Sequence, residues 1–280
     1  MSDTLNADIK NFYDVSTPLW LDVWGEHMHH GWYGTEGKPA VSHRKAQVEL
    51  LERLLTWGNV RRAGKILDAG CGVGGSARYL AHKYGANVMG VTLSSVQAER
   101  AAKYNHKAGL QDEVEVRVQD MMTLGDTEKS NFDLIWSLES AEHIADKSGL
   151  VQMFYDLLQP GGKMLLVTWC VRAPQSELTA DEKKLLQKIY NNYHLPPMIP
   201  MSEYAEFAQK TGFKNIETAD WTDEVAPFWK AVIKSAFSWK SITGLLKAGA
   251  PALKGAWTMR YMTEGYRRGL LKFALLQGEK

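Results

Sequence analysis

The chain has 280 residues, with 33 basic against 32 acidic side chains for a net charge of +1, and is 45% hydrophobic and 23% charged. This composition suits one α/β domain with a sizeable core and argues against a nucleic-acid binder, which carries a basic excess or stripe. Two cysteines, Cys71 and Cys170, cannot supply the disulfide framework of a small secreted protein.

The opening, MSDTLNADIKNFYDVS, has neither the charge-then-apolar blocks of a secretory signal nor the Arg/Ser richness of a transit peptide. No apolar run approaches membrane-spanning length. The expected setting is the cytoplasm of a bacterium, or a plastid if a transit peptide has been removed, with contact at a membrane surface left open. Residues 1–41 read as an arm over the functional site. Within it His27, His29 and His30 suggest a metal, but they lack the i, i+4 spacing of a helical chelate and no Cys or carboxylate cluster joins them. No metal is expected.

Ser42 to Trp57 has helical spacing of Ala46, Leu50, Leu51, Leu54 and Leu55. Lys65 to Cys71 reads as a buried strand, followed by a glycine-rich turn and a helix from Ser76 to Tyr84. Asn87 to Thr92 is a second strand, and Ser95 to Ala108 a helix capped by Ser94 or Ser95. Glu113 to Gln119 alternates as a half-wet strand, Phe132 to Leu138 is a fourth, and a helix from Lys147 to Leu158 stops before Pro160-Gly161-Gly162. Lys163 to Trp169 is a fifth strand. Helices over Thr179–Tyr193 and Ser202–Gly212 follow, then strands over Asn215–Trp221 and Leu270–Leu276. Strand–helix alternation predicts a doubly wound, mostly parallel seven-stranded sheet in a single domain. Its parts are the arm (1–41), a core (42–222), a helical lid inserted at 223–265 and a final strand (266–280).

In Leu67-Asp68-Ala69-Gly70-Cys71-Gly72-Val73-Gly74-Gly75 the glycines permit a tight turn and close approach of a ligand to backbone, and the next helix presents its N–H groups. The D-x-G-x-G-x-G spacing differs from the dinucleotide fingerprint G-x-G-x-x-G. An acid ahead of the glycines suits a cationic ligand. The order LDAGCGVGG, GVTLSSVQAERA, VQD, FDLIWSLESAEH and LLQPGGK resembles the class I S-adenosylmethionine methyltransferases. The resemblance implies S-adenosyl-L-methionine as cofactor, held by Asp68, Gly70, Gly72 and Gly74. Where that family usually offers an acid to the ribose, this chain has Thr92, Leu93 and Gln97, as in its lipid-methylating branch. Asp120 is expected to accept from the adenine amino group, with Met121 as an apolar wall, Ser137 nearby and Tyr13 closing the site.

The arm FYD-x-S…W-G-x-HMHHG-W-Y, with WSLES-x-EH, VTWC, LTADEK, ADW and GY-x-RGL, is similar to the γ-tocopherol methyltransferases over nearly the whole chain. That resemblance implies a small amphipathic acceptor and carbon methylation of the chromanol ring beside its phenol. A phenol titrates near pKa 10 and a histidine near 6.5, so His143 is the candidate base, with Glu142 orienting it or lying in the site wall. His29, His30 and Trp169 are expected to face the substrate. The aromatic lid (Phe228, Trp229, Val232, Ile233, Phe237, Trp239, Ile242, Leu245, Leu246, Trp257) either packs over the site or touches a bilayer. Two alternatives remain open: an N-methyltransferase of a small amine or indole alkaloid, and a cofactor-binding protein without catalysis. Oligomeric state is not legible.

Overall fold

The structure is a computed structural model that describes residues 2–34, 42–125, 128–229, 231 and 258–280. Seven strands form one sheet: β1 (Lys65–Ala69), β2 (Asn87–Thr92), β3 (Val114–Val118), β4 (Phe132–Leu138), β5 (Leu158–Val171), β6 (Lys214–Asp220) and β7 (Leu271–Glu279). Their order across the sheet is β3-β2-β1-β4-β5-β7-β6. Contacts β2–β1–β4–β5 and β2–β3 are parallel, and β7 runs antiparallel to both β5 and β6. The doubly wound sheet is as expected. Strand β6, at the edge, is mostly exposed, which its composition KNIETAD tolerates.

Central strands are apolar on both faces because helices cover both. Successive side chains point to opposite sides, so Ile66, Leu134, Trp136, Leu165 and Val167 pack with Leu50, Leu51, Leu54 and Leu55 of α2 (His43–Trp57) and Leu80 of α3 (Gly75–Tyr84). On the opposite face Leu67, Ile135, Met164 and Leu166 pack with Leu150, Phe154 and Leu157 of α5 (Lys147–Leu157) and with Tyr204 and Ala208 of α7 (Met201–Thr211). Helix α4 (Ser95–Ala108) follows β2, with the Ser94 side chain accepting from the Gln97 N–H as its N-cap. Helix α6 (Ala180–Tyr193) opens with a capping box between Thr179 and Glu182.

Three features differ from the sequence expectation. The arm contains a long helix, α1 (Ser2–Trp24), despite Pro18 inside it. Its apolar spacing is weak, and only contact with the rest of the chain rewards the helical state. Strand β5 begins at Leu158 and includes Pro160-Gly161-Gly162, because a register shift opposite Phe132–Leu134 accommodates the two glycines as an irregularity within the strand. The final strand begins at Leu271 and continues to Glu279, past the apolar run that marked it. Of the expected lid, a short helix α8 (Thr222–Val225) and a helical stretch at 258–267 are described. Val232, Ile233, Phe237, Trp239, Ile242, Leu245, Leu246 and Trp257 lie outside the described residues.

Leu166 is fully buried and pairs with Ser137 on one side and Leu276 on the other. Leu166→Ala should cost about 2–5 kcal/mol, read as a lower urea midpoint with an unchanged slope.

Candidate active site

A cavity opens beyond the carboxyl ends of β1, β2 and β4, where a doubly wound sheet changes direction. Its floor is the turn after β1. The Gly70 and Cys71 N–H groups both donate to the Val91 carbonyl of β2, at 3.1 and 2.9 Å, and fold the chain back over the sheet. Gly70 and Gly72 take φ of +89° and +55°, which side chains disfavour. A Cβ on Gly70 would lie 2.3 Å from the Ser140 Cβ, and one on Gly75 would lie 2.3 Å from the Glu26 carbonyl oxygen. The turn is thus pressed between the β4 loop and the arm.

Asp68, in β1 below this turn, is 2% exposed. Burial pushes its carboxyl up to about 7, outweighing the Ala77 N–H and the Arg78 charge. Its Oδ2 has no hydrogen-bond partner among the described residues. A buried acceptor left open costs free energy unless a ligand satisfies it, and a cationic donor suits it best.

The ends of β2 and β3 form the next wall. Thr92 Oγ1 donates to Gln97 Oε1 at 2.8 Å, and the Ser94 hydroxyl donates to Asp14 of α1. Asp120 caps its own turn by accepting from the Met122 N–H at 2.9 Å, and its other oxygen accepts from Asn6 Nδ2 of α1 at 2.8 Å. Leu93, Gln97, Asp120 and Met121 all line the cavity. Helix α1 therefore lies across the ligand cavity, tied to the loops after two strands.

The loop after β4 supplies the third tie. Tyr13 Oη and His143 Nε2 share a hydrogen bond of 2.9 Å, with the rings edge-on at 5.6 Å. Burial, helped by the Lys147 charge, pushes the His143 imidazole down to about 3, so it is neutral at physiological pH. Burial and the neighbouring Glu142 and Glu139 raise the Tyr13 phenol. The turn carrying His143 is held from behind: Lys147 Nζ donates to the carbonyls of Ala141 and Glu142, both at 2.9 Å, and Thr168 Oγ1 donates to Glu142 Oε2 at 2.7 Å. Burial pushes Glu142 up to about 7, with Glu139 adding to the effect, and pushes Lys147 down to about 8.

The segment after α1 turns back over the cavity. Arg78 holds Glu26 at 2.7 Å, and Gln47 donates to the backbone carbonyls of His27 and His29. His29 Nδ1 donates to the His30 carbonyl at 2.7 Å. Glu139, at φ 53°, accepts from the His30 N–H and from His30 Nδ1, both at 2.7 Å.

The structure thus gathers Tyr13, His29, Asp68, Gly70, Gly72, Thr92, Leu93, Gln97, Asp120, Met121 and His143 around one cavity. It removes others from the cavity wall. Gly74 caps α3 in a left-handed conformation, facing Arg78 and Ala101. Ser137 is fully buried and bonds Ser140, so it supports the turn from behind. Glu142, expected to orient His143 or to lie in the site wall, instead accepts from Thr168 away from the cavity. His30 and Trp169 sit in an aromatic cluster behind Glu139. As for the expected base, Tyr13 occupies the Nε2 of His143. Asn6, Glu26, Glu139 and Ser140 also line the cavity and were not among the expected site residues. Glu139 and Ser140 lie inside FDLIWSLESAEH, in a strand-end loop between Ser137 and His143, and that placement is the signal that could have found them. Among the described residues no group of three His, Cys, Asp or Glu is disposed to hold a metal ion.

A family model described as mycolic acid cyclopropane synthetase matches residues 2–233. A chloroplastic tocopherol O-methyltransferase from Arabidopsis thaliana is 38% identical over 291 residues, covering 100% of this chain and 83% of its own. Norajmaline N-methyltransferase from Rauvolfia serpentina is 30% identical over 284 residues, covering 97% of each. A crystal structure named for a sarcosine dimethylglycine methyltransferase from Galdieria sulphuraria superposes with a TM-score of 0.82 at 25% identity, covering 95% of this chain and 97% of that one.

The buried titrating groups set a direction for acid stability. His27, His43 and His143 are lowered to about 4, 4 and 3, and His29 well below its ordinary value. Between pH 6.5 and these values the unfolded chain binds their protons and the folded chain does not, so stability is full above 6.5 and falls with pH. Asp68 and Glu142, raised to about 7, act oppositely over the same window. Four histidines outweigh two carboxyls, so the melting temperature should be lower at pH 5 than at pH 7.5. A higher value at pH 5 would contradict the buried, neutral histidines.

Proposed function

The chain belongs to the S-adenosylmethionine-dependent methyltransferases of the cyclopropane-synthetase and tocopherol-methyltransferase type, and on that premise we propose that it methylates a tocopherol on the chromanol ring carbon beside the phenol, converting γ- to α-tocopherol and δ- to β-tocopherol. The observation that carries the activity is the open lone pair of buried Asp68 beside a glycine turn. The acceptor rests on similarity to a tocopherol methyltransferase along the full chain. That relative's name reads as methylation on oxygen. Carbon methylation is proposed because the γ-to-α conversion adds a ring methyl and leaves the phenol free.

The residues around the cavity fit the cofactor. Bound there, it supplies an electrophilic methyl group on positively charged sulfur. We assign Asp68 to its ammonium group, the Gly70–Gly72 backbone to its amino-acid end, Thr92, Leu93 and Gln97 to its ribose, and Asp120 with Met121 to its adenine. The Asp120 carboxylate keeps acceptor capacity beyond its two present donors.

The Tyr13–His143 pair is assigned to closure. With His143 at about 3 and a phenol near 10, full proton transfer to His143 would cost on the order of 10 kcal/mol. It is a poor base for this acceptor, and its bond to Tyr13 holds α1 over the reacting groups instead. A covered, dry cavity strengthens charge interactions, and alignment of methyl and ring carbon supplies much of the rate. His29 is assigned to the acceptor side of the cavity.

For the acceptor's long apolar tail, the lid insertion is the proposed cover, with its edge at a bilayer surface. Among the described residues no helix is long and apolar enough to cross a membrane. The Arabidopsis relative is named as chloroplastic, and a plastid or a bacterial cytoplasm is the setting proposed here.

The decisive assay is methyl transfer from labelled S-adenosylmethionine to γ- and δ-tocopherol beside a panel of small amines. The expected product from γ-tocopherol retains a free phenol; an ether product, or turnover of amines alone, overturns the acceptor assignment. The fit of Asp68 has its own test. Ammonium binding ionises a carboxyl that is protonated below about pH 7, so binding there should release a proton. Affinity should rise with pH up to about 7 and then level off. Calorimetry in buffers of differing ionisation enthalpy reads the proton directly, and Asp68→Asn should weaken cofactor binding at least tenfold, about 1.4 kcal/mol.

A further inference from the structure

Behind Glu139 lies a buried aromatic cluster that does not line the cofactor cavity. His30 is fully buried, and around its ring stand Phe228 at 4.1 Å, stacked, with Trp229 at 5.3 Å, Phe273 at 5.2 Å and Trp169 and Tyr266 at 6.0 Å. Four polar atoms in this apolar setting have no hydrogen-bond partner among the described residues: His30 Nε2, Trp169 Nε1, Trp229 Nε1 and Tyr266 Oη. Each unmet group costs about 1–3 kcal/mol when water is excluded. One ring nitrogen, two indole donors and a phenol, all on rings within 6.0 Å of His30 by centroid, suit a polar group carried by an aromatic ring.

The histidine among them is oriented. Glu139 accepts from the His30 N–H and from Nδ1, both at 2.7 Å, so Nδ1 carries a hydrogen and Nε2 is the ring nitrogen left to accept one. Glu139 sits at the carboxyl end of β4 in a left-handed backbone conformation and also lines the cofactor cavity. It therefore stands between the cofactor cavity and the aromatic cluster around His30. A carboxylate holding one imidazole nitrogen and leaving the other open is the arrangement of a general base with its orienting group. The other titratable groups bearing on this ring are His29 of the arm, His43 of α2 and Tyr266 of the 258–267 helical stretch.

We propose that His30 is the base that takes the phenolic proton of the acceptor and that Glu139 is its positioning residue, with the acceptor ring displacing Phe228 from its stack on His30. This rests on the phenolic acceptor proposed above. His30 Nε2 takes the O–H proton, and the oxygen's electron pair delocalises onto the adjacent ring carbon. That carbon forms the new carbon–carbon bond as the carbon–sulfur bond of the sulfonium breaks with its pair on sulfur. The hydrogen on the methylated carbon leaves to solvent as a proton, and His30 returns its own to the oxygen. One proton is released per turnover, and the indole N–H groups of Trp169 and Trp229 hold the oxygen while it is negative.

The test compares wild type with His30→Asn and Glu139→Gln, using γ-tocopherol in mixed micelles. His30→Asn should lower kcat by about 10²–10⁴ and leave S-adenosylhomocysteine affinity within threefold of wild type. Its residual rate should climb about tenfold per pH unit toward the phenol's own pKa, because hydroxide then makes the phenolate. With S-adenosylhomocysteine bound, γ-tocopherol should show a phenolate difference spectrum on wild type and lose it on His30→Asn. Glu139→Gln should give an intermediate loss of kcat and of the phenolate signal, and it decides the matter if His30→Asn does not fold. Either variant turning over γ-tocopherol within threefold of wild type, or a phenolate signal that persists in both, overturns the dyad. Absence of tocopherol turnover by wild type itself overturns the acceptor assignment instead.

Discussion

The open end of the sheet depends on how closely the turn after β1 approaches the loop after β4. Ser140 donates to the Ala69 carbonyl at 2.5 Å, and no side chain fits at Gly70 between them. That contact sets the distance from Asp68, under the turn, to Glu139 and His143, on the loop. Ser137 and Lys147 reinforce it from behind, through Ser140 and through the carbonyls of the 141–143 turn. A longer separation would leave the ligand wall broken, so several polar side chains are spent on bracing.

Burial then shifts several titratable groups at the site. Desolvation raises Asp68 and Glu142 and lowers His27, His29 and His143. A buried carboxyl with an open lone pair gives an incoming cation a strong partner, because charge is poorly screened there. The same physics disqualifies His143 as a strong base. His30 differs in having a carboxylate, Glu139, at its back.

Two coverings meet over this cavity. Helix α1 is tied to three strand-end loops through Asn6, Tyr13 and Asp14, and the segment after it is anchored by Arg78, Gln47 and Glu139. The Phe228–Trp229 end of the lid packs on His30 from the other side. The cavity and the aromatic cluster around His30 therefore have different covers, and Glu139 touches both.

The sequence by itself determined the sheet, because short apolar runs set between period-3.6 helices mark the buried strands, and strand–helix alternation leaves few topologies. It determined the cofactor end as well, since a D-x-G-x-G-x-G turn and a TLS-x-x-Q cap are local chemistry: their residues act within a few positions of one another. The arm's helix was not legible, because its reward comes from distant loops. Nor were the surroundings of His30, Glu142, His143 and Trp169, which are set by the neighbours that folding brings to them. Asn6 meets Asp120 across 114 positions and His30 meets Glu139 across 109, and contacts at such separation exist only once the chain has folded.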